Sequence, residues 1–265
     1  MLAHRRYQVL LIAVVGLALG LAFVINTIAP ASPSNITYAQ FLEQMGLSMR
    51  NAKDALKDNR VAATFNGEPI PYSYIVLKSI HMAEAAKARN HKVPDRSAVL
   101  QAVLRDQAYL DLAEELNLMP SEEDLTEYLK WQLQGVEQAD NKNELATFFQ
   151  TAGISPREYF FEYARPFYLL DLVNRNLMSH YQAHNPRLEN EPEKDYYERI
   201  AKLIKETVDK KLRESKVEVK GALLMLSSRS SALTGYARYL NSCSSARPVS
   251  SWRCPTIADS GAYLG

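Results

Sequence analysis

Cysteine is nearly missing from this sequence. The two present, Cys243 and Cys254, lie beyond Lys220. A body without cysteine has neither a disulfide framework nor a thiolate metal site to hold it together. The apolar residues, 47% of the chain, must therefore supply the core. Glycine is scarce too, ten in 265 residues, and neither a Walker loop nor a G-x-G-x-x-G run occurs, which removes the usual phosphate cradles. Charge of one sign is also lacking: 31 basic and 30 acidic residues leave a net charge of +1. There is thus no electrostatic footprint for nucleic acid. No G-x-S-x-G elbow is present. His180 and His184 are spaced to share a helix face, as zinc-binding pairs do, but no glutamate follows His180, so the H-E-x-x-H pattern is absent. They read as exposed histidines near a helix end. His81 and His91 sit near cationic residues and carry no assigned role. Glu114-Glu115 and Glu122-Glu123 read as ordinary charged helix positions. The expectation is a protein with no catalytic site, no cofactor, no metal and no small-molecule ligand.

One long apolar run stands out. His4-Arg5-Arg6 precedes Val9 to Ile25, which is free of polar side chains, and Ile28-Ala29 extends it. About 20 helical residues span the hydrocarbon layer of a bilayer. Residues 1–30 are either a signal peptide, cleaved after Ala31 in Ala29-Pro30-Ala31, or a retained signal-anchor helix. The run exceeds the usual apolar part of a signal peptide, about 7–15 residues, which favours the anchor. In both readings the basic end stays in the cytoplasm and the rest is exported. The location implied is the cell membrane, single-pass, with the domain on the extracytoplasmic side; cleavage would make it secreted or periplasmic. No cysteine lies nearby, so this is not a lipoprotein. Residues 31–60 form a spacer and an amphipathic helix with Phe41, Leu42, Met45, Met49, Ala52 and Leu56 on one face. That helix packs on the domain or lies on the bilayer with Arg50, Lys53 and Lys57 as its basic side.

The main body is expected over residues 61–220. Val61 to Phe65 reads as a strand running into an Asn66-Gly67 turn. A helical pattern follows Tyr72. Ser97 to Leu116 is a stronger helix, with Leu100, Val103, Leu104, Ala108, Leu112 and Leu116 at helical spacing. Asn117 suits the left-handed stop, and Ser121-Glu122-Glu123-Asp124 caps the next helix. Glu137 to Asn143 reads as a loop and Glu144 to Thr151 as a short helix stopped at Gly153. Ser155-Pro156-Arg157-Glu158 is a capping box with proline at the first helical position. The helix it starts is expected to run to about Tyr181 and to kink at Pro166, which cannot donate to the Glu162 carbonyl. Residues 185–192 form a linker, Glu193 to Ser215 an amphipathic helix, and Lys216 to Lys220 a strand.

This order resembles the N-terminal domain of the SurA family of extracytoplasmic chaperones, a group that includes PrsA-like proteins. The resemblance covers about Val61 to Lys220. It rests on Asn66-Gly67-Glu68-Pro69-Ile70, on Leu100 to Leu116 with Asn117 to Asp124 after it, on Ala152 to Tyr159, and on Leu212 to Val219. It implies a mainly α fold in which the last strand pairs with Val61 to Phe65, closing the helices with a small two-stranded β element. Many relatives insert a parvulin-type prolyl isomerase where this chain has only the linker 185–192. The histidines and glycine-rich stretch of that domain are missing, so no isomerase activity is expected.

Beyond Lys220, residues 221–265 contain ten serines but no lysine or glutamate. They read as a low-order tail; arginine without lysine also suits translation in a shifted frame. Function is implied by resemblance and by aromatic residues: a membrane-tethered, ATP-independent chaperone for unfolded or newly exported polypeptides. The candidate client-binding residues are Tyr128, Trp131, Phe148, Phe149, Phe160, Tyr163 and Phe167, with core packing as the alternative use of each. An exported helical adaptor with one envelope partner is the second functional reading, and a foldase of the isomerase family the third. If the anchor is retained, alkaline carbonate extraction leaves the chain in the membrane with Met1 or Leu2 at its N-terminus; a soluble product starting at Ser32 would overturn this.

Overall fold

A hairpin opens the body. In the computed structural model, which describes residues 36–220, β1 (Val61–Phe65) and β2 (Glu68–Pro71) are joined by Asn66 and Gly67. Both turn residues have positive φ, 51° and 94°. A two-residue hairpin turn needs that backbone to match the strand twist, and asparagine and glycine adopt it at least cost. The strand β3 (Val217–Val219) pairs antiparallel with the other edge of β1, with Phe65 opposite Val217 and Ala63 opposite Val219. The sheet thus has three strands in the order β2-β1-β3, not the two expected. The extra strand is Glu68-Pro69-Ile70-Pro71, whose prolines mask its extended character. Proline is tolerated there because β2 is an edge strand.

Local signals set the helix ends. In chain order the helices are α1 (Tyr38–Asn51), α2 (Lys53–Leu56), α3 (Tyr72–Ala88), α4 (Arg96–Glu115), α5 (Glu122–Gln138), α6 (Lys142–Ala152), α7 (Pro156–Glu158), α8 (Arg165–His184) and α9 (Glu193–Glu214). Thr37, Asp95, Ser121 and Ser155 each cap a helix by accepting from a backbone N–H. Asn117 ends α4 with φ 55°, and the N–H groups of Asn117 and Leu118 bond Glu114 and Ala113. That is a Schellman stop built on asparagine. The expected loop at 137–143 shrinks to 139–141, because α5 runs to Gln138 and α6 starts at Lys142.

Two apolar cores result among the described residues. The first collects α1, α2, α5, α6 and the start of α8. The second lies between the sheet, α4, the rest of α8 and α9. Helix α3 serves both, with Leu77 in one and Tyr74 and Ile75 in the other. Of the two readings of the first helix, packing on the domain is the one observed: α1 buries Phe41, Leu42, Met45 and Met49. Among the described residues no helix is long and apolar enough to cross a membrane. The expected anchor at 1–30 and the tail at 221–265 lie outside the described residues.

Gly46 brings α1 against α6. A Cβ built there would stand 2.8 Å from the Phe148 carbonyl oxygen and 3.0 Å from Thr151 Cβ. Backbone cannot yield as a flexible side chain does, so a larger residue must push the helices apart. Gly46→Val is expected to cost about 1–3 kcal/mol or more by overpacking. Urea titration checks this; an unchanged midpoint would show that the contact is slack.

Candidate functional site

The aromatic block is built around an interruption in one helix. Ser155 caps α7, its hydroxyl accepting from Glu158 N–H. The chain then widens into a π-helical turn, Tyr159–Tyr163, in which Ala164 N–H bonds Tyr159 O at 2.7 Å. Pro166 follows in the first turn of α8. The interruption expected at Pro166 is therefore shared: the π turn absorbs an extra residue just before the proline removes a donor. Together they re-aim the side chains from Tyr159 to Tyr168 relative to a regular helix.

The structure gathers most of the candidate residues into one chain of rings. Trp131 stacks on Tyr128 at 5.8 Å, and Tyr128 meets Tyr168 edge-on at 5.9 Å. Phe160 lies 5.4 Å from Tyr168 and 5.4 Å from Tyr159, which in turn contacts Phe148 at 5.2 Å and Phe149 at 5.9 Å. Such edge-on geometry suits ring quadrupoles and fixes a packed interior. Phe148, Phe149, Phe160 and Tyr163 are buried, Phe160 completely. Tyr128, Trp131 and Phe167 are half-buried. Tyr128 is further fixed by donating to Asp171 at 2.5 Å beneath the Arg175 guanidinium. Burial first, and then the Asp171 carboxylate, push its phenol well above the ordinary range.

Phe167 stands apart from that chain of rings. It lies against α3, on a stripe made by Tyr74, Lys78 and His81. Tyr74 is 5.6 Å away, the His81 ring 4.8 Å, and Lys78 Nζ 5.5 Å from the ring centre. Behind the stripe, Asp106 of α4 accepts from Tyr74 Oη and from Lys78 Nζ, each at 2.7 Å. This buried triad was not singled out from the sequence. The i, i+4, i+7 spacing on α3 was its available signal, but Asp106 reaches it only through tertiary packing.

Two concave features adjoin these residues. A cavity of about 20 Å³ lies among α1, α3, α6, the π turn and the start of α8, lined by apolar side chains, by Tyr159 and Tyr168, and by the His81 imidazole. It has room for roughly one water and none for a polypeptide side chain. The second feature is an open groove of about 370 Å³ beside the helix interruption. Leu56, Tyr74, Leu77, Tyr163 and Pro166 give it apolar surface, Asn59 and Ser73 add neutral polar groups, and Lys57 and Glu162 are its exposed charges. Of the sequence-derived candidates only Tyr163 lines it. Burial, then the neighbouring Glu158, push the Tyr163 phenol up to about 12, so it stays neutral.

Among the described residues no group of three or more histidine, cysteine or carboxylate side chains could hold a metal. His180 and His184 do face each other, ring centres 4.2 Å apart, but His184 Nδ1 is taken by the His180 carbonyl at 2.8 Å.

Phe160 is at the centre of the aromatic chain and fully enclosed. Phe160→Ala is expected to cost about 3–5 kcal/mol through the lost contacts and the cavity left behind. Denaturant unfolding monitored by circular dichroism checks it; a loss under about 1 kcal/mol would mean the ring is not core.

No family model, curated protein or solved structure matches this chain.

Proposed function

We propose that this chain is a membrane-tethered extracytoplasmic chaperone that holds unfolded exported polypeptides without ATP. The observation that carries the reading is the groove of about 370 Å³ at the helix interruption. Its volume falls within the range of sites that enclose a small ligand or a few side chains. Apolar side chains and two tyrosine rings make most of its wall, Asn59 and Ser73 interrupt it with neutral polar groups, and its charges, Lys57 and Glu162, are exposed and opposite in sign. Such a site selects apolar side chains with little preference for sequence. Each client side chain buried contributes roughly 1.5–3 kcal/mol before ordering costs. A few such contacts leave affinity near micromolar, about −8 kcal/mol, which suits capture and release without an energy source.

Two further features support the reading. The element order, from the Asn66-Gly67 hairpin through capped helices to a last strand paired with β1, is the order that the SurA N-terminal resemblance implies. The apolar run at 9–25 behind a basic start suits a tether that leaves the body exported.

The groove can be blocked without dismantling the fold. Lys57 and Glu162 line the groove from exposed positions and hold no other element in place, so a bulky side chain there fills the groove from its rim. In light scattering from a thermally unfolding model protein, the wild-type chain should suppress aggregation at equimolar to fivefold ratios. Lys57→Trp and Glu162→Trp, which fill the groove from its exposed rim, should each raise the ratio required by about fivefold or more, with the melting temperature held. No suppression by wild type at fivefold excess would overturn the chaperone reading. Capture of one dominant partner in cells would then support the adaptor.

A further inference from the structure

His81 is a buried polar group beside the first core whose place in the fold the groove does not explain. It is only 4% exposed, and its Nε2 has no hydrogen-bond partner among the described residues. Its ring lines the small cavity and abuts Phe167, a side chain that packs against both cores. We propose that His81 is an acid-sensitive pin: taking up a proton at Nε2 dislodges it from Phe167, loosens the first core along the π turn, and exposes the aromatic chain around Phe148 and Phe160. The inference rests on the chaperone reading for its use, and it assigns the buried aromatics a second, acid-gated client surface.

The surroundings of His81 offer nothing to accept the charge. On its own helix, Lys78 lies one turn earlier and opposes protonation. Glu84, almost one turn later, is already held by Ser48 of α1 and by Lys87, each at 2.7 Å. On α4, Asp106 is committed to Tyr74 and Lys78. Helices α1 and α6 turn only apolar side chains to the cavity. The π turn and α8 turn Tyr159 and Tyr168, both held neutral chiefly by burial. Burial, reinforced by Lys78, accordingly lowers the imidazole from 6.5 to about 3. A histidine depressed in the closed state stabilises that state fully above its free value. The stabilisation is lost progressively as pH falls from about 6.5 toward 3. An opened state in which His81 regains a value of 6.5 gains about 30-fold in population between pH 7.5 and pH 5.0.

Hydrogen exchange on the full-length chain tests this, with rates corrected for intrinsic pH dependence. Wild type should lose about 30-fold in protection over 145–152 and 159–168 at pH 5.0, while β1 and α4 keep theirs. His81→Phe, and independently His81→Gln, should show no such loss. Equal protection of wild type at both pH values overturns the proposal; so does the same loss in a folded variant, or simultaneous loss across every segment. If neither variant folds, the wild-type His81 ring signal decides, since it must titrate together with the loss of protection. Exchange is read without any client, so failure here leaves the groove reading standing, and absence of aggregation suppression leaves the pin testable.

Discussion

Phe167 on the α3 stripe is the contact through which the two cores hold each other. The ring is wedged against Tyr74 and His81, with Lys78 above it, and it packs against apolar side chains of both clusters. Its position follows from the interruption just before it. A regular helix through 159–168 would rotate Phe167 away from α3, whereas a π turn followed by Pro166 re-aims it. The stripe is held by Asp106, which ties Tyr74 and Lys78 to α4. A buried ion pair is a weak source of net stability but costs heavily if one partner is lost, about 3–5 kcal/mol. It therefore favours one arrangement of α3 on α4 over near alternatives.

A second constraint acts over a longer stretch of chain. Strand β3 closes on β1 after all the helices have been laid down, pairing Phe65 with Val217. The Asn66 side chain reinforces the closure by accepting from Lys216 N–H at 2.9 Å, and Asn66 N–H donates to the Lys216 carbonyl at 2.8 Å. One residue thus serves both the local hairpin and the distant closure. Contacts of this separation are costly in loop entropy and form late relative to local helices. The second core, which β3 and α9 complete, depends on that late step; the first core, made of neighbouring helices, depends on it far less.

Much of the fold was legible because its punctuation is local. Asn66-Gly67, Asn117 and Gly153 act through their own backbone, and Ser121 and Ser155 through hydroxyls that accept from N–H groups three residues on, so they read directly. Strand β2 was not legible, since its pairing is decided by β1 and its prolines argue against a strand in isolation. The π turn was hidden for a related reason: Pro166 announces a break, but the extra residue absorbed ahead of it depends on how the aromatic rings pack. The candidate site divides along the same line. Aromatic residues on several sides of one helix predict either an enclosed cluster or an open surface, and periodicity cannot choose between them. Phe160 is enclosed while Tyr163, three residues on, reaches the groove. Leu56, Tyr74 and Leu77, the opposite wall, come from segments about a hundred residues away in sequence and carry no local mark.

The groove joins walls of different stiffness. On one side Tyr74 is pinned through Asp106, and Ser73 Oγ donates to Asn59 at 3.0 Å, so the α3 wall is fixed by polar contacts at its helix start. On the other side Tyr163 and Pro166 belong to the π turn and its exit. There Phe167 N–H bonds Ala164 O, and Pro166 leaves the Glu162 carbonyl without its regular helical donor. Shifts in such a turn break fewer regular hydrogen bonds than shifts in an unbroken helix. A rigid wall opposite an adaptable one accepts side chains of differing size at modest ordering cost. On the proposed chaperone reading, affinity is limited by the adaptable side, because each client would have to order it anew. The weak, broad binding proposed for this groove would then follow from where the helix is interrupted, and a regular helix through 159–168 would trade that breadth for a single fitted ligand.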